Sequence, residues 1–563
     1  MGKEPDCQNE GDKLMTKKRM RGALVVLLAV AVALVSLGLL AVMPKTAFAA
    51  GVGPRSNTYD DPADGIYVSP DGNDATADGS IGAPYKSINT ALAAAPPGST
   101  IILRSGTYTE GVNVRVREPN ITIKSAKGEW AIIDLTKYDP GRDEDSGVFF
   151  DVDSSGGKLQ CVEVIGGFYA VCLDTTWEWG IEYYPTRYGA SNIIIEDCIL
   201  HDSRNDVVKV KPNCNNVTIR YCEIYNSGQA YIGYSDFDSG ERNSEGIDNV
   251  NGANMHVHNN YIHDICSTAV YAKGGAVNAL IENNRIERAY AAGVMIGFDT
   301  SPQYFDTTTN PQYYENIGGV VRNNLIIDMG WEGIGLYASL NAQVYNNTII
   351  NAVVYGTGRY HSPIYYGVAT QDWDNPAGCP PSFNPNVHDN VVVQPSIYDG
   401  RMIDVRYVIG FYNPIDYPSL SSYDLSGLSG NPTMDYNCYY IVGRGSTFTD
   451  NRPTAIENMS FSAWQTHISG DYNSCDGMDP LLDADYVVTN SDCAGRGIPY
   501  PLTVGGGSTP ISTPPTITTA FPLPGATVGT SYSQMLAASG DVPITWDISL
   551  GSLPEDLHSP QRA

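Results

Sequence analysis

Lys273 ends an apolar run, TAVYAK, and two glycines follow it. Acidic residues crowd both sides. Asp236, Asp238, Glu241, Glu245 and Asp248 fall in 234–250, and Asp299 and Asp306 in 298–316. A strand-end lysine among acids is ordinarily a solvated ion-pair partner. Freed of its proton it is a general base. Carboxylates in such numbers supply hard oxygen ligands for a cation, or an acid–base pair for glycoside cleavage. Tyr234, Tyr271, Tyr304 and Tyr313 are aromatic faces on which sugar rings can stack.

A repeat must position these residues. NMHVHNNYIHDI begins at Asn254 and NALIENNRIERA at Asn278. Related units begin at Asn192, Asn216, Gly318 and Asn341, so the successive offsets are 24, 38, 24, 40 and 23. Short alternating strands at that period signal a solenoid, and the two long offsets are a basic repeat plus an insertion. The sixth residue after each start is Cys198, Cys222, Asn260, Asn284, Asn324 or Asn347. Stacked rungs turn that position into an internal ladder, at about 4.8 Å per rung. Nineteen residues after the start stand Lys211, Ser235, Lys273 and Gly297 in successive units. Lys211 and Lys273 are therefore expected on one column, about 10 Å apart. Both insertions are expected to leave the coil at one corner and flank Lys273. His201-Asp202 and His263-Asp264 share a repeat position and read as turn chemistry.

The chain has 563 residues and a net charge of −28. That balance disfavours nucleic acid and anionic membranes as partners, and is compatible with calcium and with neutral glycans or polyuronates approached through a local cationic patch. Residues 1–49 place Lys17, Lys18, Arg19 and Arg21 before an apolar run, with Ala47-Phe48-Ala49 as a cleavage site. They read as a signal peptide or, uncleaved, as a single membrane anchor, so the body is expected to be secreted or at the cell surface. Of eleven cysteines, none forms a CxxC or a Cys/His spacing typical of zinc, which argues against a metal–thiolate site. Cys475 and Cys493 are candidates for a bridge.

Residues 64–110 read as strand, polar loop, a short amphipathic helix over 87–95 and two more strands. This block resembles the N-terminal cap of secreted right-handed parallel β-helix proteins, and 434–500 resembles their closing segment. The expected fold is all-β: one right-handed parallel β-helix over 64–500. A Gly/Ser/Thr/Pro linker follows at 501–515. Residues 516–563 resemble the start of an immunoglobulin-like domain of bacterial surface proteins, cut short of the roughly 100 residues a sandwich needs.

The lysine between two acid-rich loops is similar to the pectate lyase superfamily, most closely to β-helix polyuronate lyases with a lysine base and a carboxylate-bound calcium. The resemblance implies Lys273 as base with Lys211 as a second cation. It implies calcium on Glu245 and Asp248, with Asp236 and Asp238 as further ligands. Tyr234, Tyr271, Asp299 and Tyr304 would contact the sugar. The partner would be a polysaccharide of the polyuronate kind, and the protein a monomer. Two alternatives stay open: a hydrolase using a pair among Glu245, Asp248 and Asp299, or a glycan-binding adhesive surface without catalysis. One consequence concerns the tail, which is too short to build a core on which the body depends. Truncation after Val504 should leave the melting temperature of the body unchanged; a drop of several degrees would show that the tail docks.

Overall fold

The computed structural model describes residues 50–136, 145–177, 187–229, 243–355, 361–369, 379–406, 426–452 and 457–504, with residue pairs at 42–43, 516–517, 538–539 and 547–548. The N-terminal apolar run, apart from Val42–Met43, falls outside these residues. Among the described residues no helix is long and apolar enough to cross a membrane.

The chain divides into two units. The large one, 49–509, is a coil of parallel strands. Its first sheet runs from Ile66–Val68 to Thr433–Asp435, its second from Gly106–Tyr108 to Cys475–Asp476, and its third from Val114–Val116 to Phe448–Asp450. Each rung between the two ends contributes one strand to each, so consecutive rungs pair in parallel register. The third sheet shows why these sequences become strands. Val171, Val208, Ile247, Val270, Val294, Ile334, Ile364 and Ile403 stack inward in register and are fully buried. β-Branched chains suit that pleated interior. In the small unit, Val42–Met43 pairs antiparallel with Asp547–Ile548, and Thr516–Ile517 with Ala538–Ser539.

Open ends of a solenoid expose core and strand edges. Helix Ile88–Ala94 covers one end. Ser87 caps it by accepting from the Thr90 N–H, and Glu110 accepts from the Ile88 N–H and the Ser87 hydroxyl. Helix Phe461–Ile468 closes the other end and buries Trp464 and Ile468.

The asparagine ladder forms as the repeat requires. Asn260 Nδ2 donates to Asn284 Oδ1, Asn284 to Asn324 and Asn324 to Asn347, each at 3.0 Å. Cys222 N–H enters the column through Asn260 Oδ1, and the ladder runs on through Asn390 and Asn437. Cys198 and Cys222 are buried at its upper end. The preceding residue is left-handed in each rung: Asp197, Tyr221, Asn259, Asn283, Asn323 and Asn346 all have φ between 52° and 56°. Five of the six are Asn or Asp, whose short polar side chain tolerates that conformation. The histidines of the His–Asp dyads belong to strands of the second sheet and not to its turns: His201 ends Ile199–His201 and is buried, and His263 lies within Tyr261–Ile265. His263 Nδ1 contacts Asp264 Oδ2 at 2.6 Å, and the ring stacks on Tyr225.

Asn324→Ala would strip the Asn284 backbone N–H of its partner and break the side-chain ladder between Asn284 and Asn347. At roughly 1–3 kcal/mol for each buried group left unsatisfied, the variant should melt several degrees lower. An unchanged melting temperature would mean that water replaces the ladder.

Candidate active site on the third sheet

Outward-pointing residues of the third sheet form a second column: Cys172, Lys209, Asp248, Tyr271 and Met295 stand side by side on successive strands. The strands are Val171–Leu173, Val208–Val210, Ile247–Val250, Val270–Lys273 and Val294–Ile296. Asp206 and Glu245 each stand two residues before their strand. Their carboxylates therefore meet Asp248, and one oxygen from each of the three lies within 4.8 Å of the others. All three residues are buried.

Two lysines reach this cluster. Lys209 Nζ pairs with Asp206 Oδ2 at 3.1 Å and also with Asp248 Oδ2. Lys273 Nζ stands 3.7 Å from Asp248 Oδ1 and 4.3 Å from the centre of the Tyr271 ring. Burial alone would raise the Asp248 carboxyl, but Lys209 and Lys273 hold it below its ordinary range. Burial and the facing Asp206 push Glu245 the other way, well above the carboxylate range. Glu245 Oε1 accepts from the Ser267 hydroxyl at 3.1 Å. Glu245 Oε2 and Asp248 Oδ1 are buried without a hydrogen-bond partner. Three carboxylates with two unsatisfied buried oxygens fit a hard cation such as calcium.

The turn after Lys273 is fixed from below. Gly274 and Gly275 take φ of 68° and 88°. A Cβ on Gly274 would come within 2.9 Å of Val250. Glu315 accepts from the Gly274 N–H at 2.7 Å and from the Thr300 N–H and hydroxyl. Burial, with Asp299 nearby, pushes Glu315 up to about 8. Asn251 Nδ2 donates to the Gly274 and Tyr304 carbonyls. Tyr304 itself stacks on Trp177 with ring centres 4.2 Å apart.

Tyr271 stacks on Phe298 and, with Met295, Tyr337 and Tyr365, forms an apolar band beside the lysine. Beyond it Glu332 accepts from the Tyr337 hydroxyl at 2.6 Å and contacts His361 Nδ1 at 2.7 Å. Asp404 lies further along the same column, pushed up to about 6 by burial.

Several expectations need correction. Lys211 shares the register of Lys273, but its Nζ pairs with Asp174 Oδ1 at 3.0 Å; the second lysine at the carboxylates is Lys209. Val250, and not Ser235, occupies the intervening place on that column, because Ile247–Val250 is itself a third-sheet strand. Ile247 fills the core slot between Val208 and Val270, which fixes that register. The first insertion therefore interrupts the chain before the third-sheet strand, and the second follows Val294–Ile296. They leave from opposite ends of the sheet and not from one corner. Tyr234, Asp236 and Asp238 lie outside the described residues. Asp206 and Lys209 were missed because the repeat was counted from its asparagine turns. Counted from the strands, DVVKV and EGIDNV align and place Asp206 with Glu245.

Residues 146–303 and 188–375 match the sequence profile of the right handed beta helix region, and 70–115 match one described as a protein of unknown function (DUF1565). The fold is a right-handed parallel β-helix. A stretch of 120 residues is 36% identical to pectate lyase PEL9 of Emericella nidulans; it covers 19% of this chain and spans only 29% of that protein. Among solved structures, pectate lyase Pel9A aligns at 13% identity with a TM-score of 0.33, over 70% of this chain and 80% of that one. The Dettilon tailspike protein aligns at 14% with a TM-score of 0.38, over 60% and 66%.

A carboxyl raised in the folded state binds its proton more tightly there than in the unfolded chain. Stability is then lost as pH rises above the unfolded value, about 4.3 for glutamate. Glu245→Gln should therefore raise the melting temperature near neutral pH without added cation, and the gain should vanish at about pH 4. The wild-type protein should gain stability from calcium by mass action, and the variant much less. Equal calcium-induced shifts in thermal melts would remove Glu245 from the ligand set.

Proposed function

We propose that this β-helix protein is a polysaccharide lyase that cleaves a uronate-containing chain by β-elimination. One observation carries the reading: Lys273 projects beside three buried carboxylates, two of whose oxygens lack a hydrogen-bond partner, and next to an aromatic ring. The 120-residue stretch that is 36% identical to a pectate lyase agrees with it.

Asp206, Glu245 and Asp248 would hold calcium. When bound, calcium neutralises the uronate carboxylate and acidifies the proton on C5. Lys273 would take that proton. Its side chain is 13% exposed, so the amine is sheltered yet within reach of a ligand. To accept a proton it must first lose its own, and Asp248 is the anion whose engagement elsewhere would release it. Electrons from the broken C5–H bond form the C4–C5 double bond, and the glycosidic oxygen leaves from C4. Tyr271 and its apolar neighbours would orient the sugar by stacking.

A hydrolase reading has some footing, since Glu245 and Asp248 are shifted in opposite directions, as an acid and a base are. Their burial counts against it. At 3% and 0% exposure they can grip a small ion but cannot flank a sugar ring.

The deciding experiment incubates the protein with a polyuronate panel in calcium and follows the ultraviolet absorbance of unsaturated ends, then reducing ends. Unsaturated products are expected. Lys273→Ala should lower turnover by about 10²-fold or more while leaving the melting temperature and substrate binding in place. Reducing ends without unsaturation would point to hydrolysis, and binding without products to an adhesive surface. Full activity of Lys273→Ala would place the base elsewhere.

A further inference from the structure

Three cysteines far apart in sequence meet at the C-terminal end of the second sheet. Cys438 opens strand Cys438–Ile441, and Cys475 opens Cys475–Asp476 in direct parallel register with it. Cys493 closes the 3₁₀ turn Ser491–Cys493. Its sulfur lies 3.2 Å from that of Cys438 and 3.5 Å from that of Cys475, and all three sulfurs fall within 4.8 Å of one another. A disulfide would need about 2.05 Å. Thiolates at about 2.3 Å from a tetrahedral zinc stand roughly 3.8 Å apart. The observed set is closer to the second arrangement, and small side-chain rotations would reach it.

The surroundings suit a thiolate set. Arg496 Nη1 donates to Cys475 Sγ at 2.7 Å, and its Nη2 is anchored on the Asn473 carbonyl. Three thiolates, a dication and one guanidinium sum to zero charge. Val391, Val393, Met478, Leu482 and Val488 pack around the sulfurs on the protein side, and a water reaching the ion beside Cys475 would complete the four ligands of a tetrahedral zinc. Cys475 is partly exposed and gives an ion a way in.

We propose that Cys438, Cys475 and Cys493 form a binding site for a thiophilic d¹⁰ cation of the zinc class, which fastens the C-terminal segment to the last rungs. Soft sulfur ligands select such ions over calcium, so this site and the carboxylate cluster would load independently. Beyond Cys493 the chain runs back along the second sheet as a strap. Gly497 N–H donates to the Asp389 carbonyl, Ile498 N–H to Thr348 Oγ1 and the Tyr500 hydroxyl to Asn283 Oδ1, on successively earlier rungs. It ends with Leu502–Val504 paired in parallel with Ala50–Val52. An ion holding Cys493 to Cys438 and Cys475 would lock the start of that strap.

The test uses the full chain, purified under reducing conditions without added metal or chelator. About one equivalent of zinc is expected by elemental analysis. Exchange with Co²⁺ should give sulfur-to-cobalt charge-transfer absorption, lost in Cys475→Ser. Because Cys493 is buried and its replacement can disturb the turn, the partly exposed Cys475 is the variant to use. Chelation of the unaltered protein gives a second measurement: the melting temperature should fall by several degrees and return on adding zinc. Two results would overturn the proposal. One is reduced, folded protein that takes up neither zinc nor cobalt. The other is a disulfide joining two of the three cysteines in an unreduced digest of the purified protein.

Discussion

The parallel pairing of one rung on the next is the constraint on which everything else rests, and the buried asparagine column keeps it in register. Each Asn side chain accepts from the backbone of the rung before and donates to the rung after. A slip of one residue would leave several buried amides unpaired, at roughly 1–3 kcal/mol each. It would also turn the inward valines and isoleucines to the surface. The left-handed residue before each ladder position makes the corner that allows the first sheet to hand over to the second. Register is thus held at the corners and repaid in the core.

That rigidity turns an outward column into a place for chemistry. Lys209, Asp248 and Tyr271 project from adjacent strands because the strands cannot shift. Gathering three carboxylates and two ammonium groups on buried positions carries a large desolvation cost. Neighbouring lysines offset it for Asp248, whereas Glu245 is left facing Asp206 with an unsatisfied oxygen. Such a residue weakens the fold by itself. We propose that a bound cation offsets that cost.

The two ends of the coil are finished differently. A capped helix at the start covers the core directly. At the other end a helix buries Trp464, and the following segment folds back along the second sheet. The cysteine triad sits where that segment turns. It joins residues 55 positions apart, which is why spacing rules built on short motifs did not register it.

The solenoid was legible in the sequence because it depends on local periodicity. Asparagines at the turns, alternating apolar residues between them and a capping helix before Pro96-Pro97 are all short-range signals. They yielded the fold, the ladder and Lys273 on an outward column. The neighbours of Lys273 were another matter. Where an insertion enters the rung is not periodic, and it was the packing of Ile247 between Val208 and Val270 that made Ile247–Val250 a strand. That choice brought Asp206 and Lys209 to Asp248 and sent Lys211 to Asp174. The meeting of Cys438, Cys475 and Cys493 likewise exists only once the last rungs and the returning strap are stacked. Repeats dictate which face a residue occupies; only the folded coil decides which residues from distant rungs share a charge, an ion or a cavity.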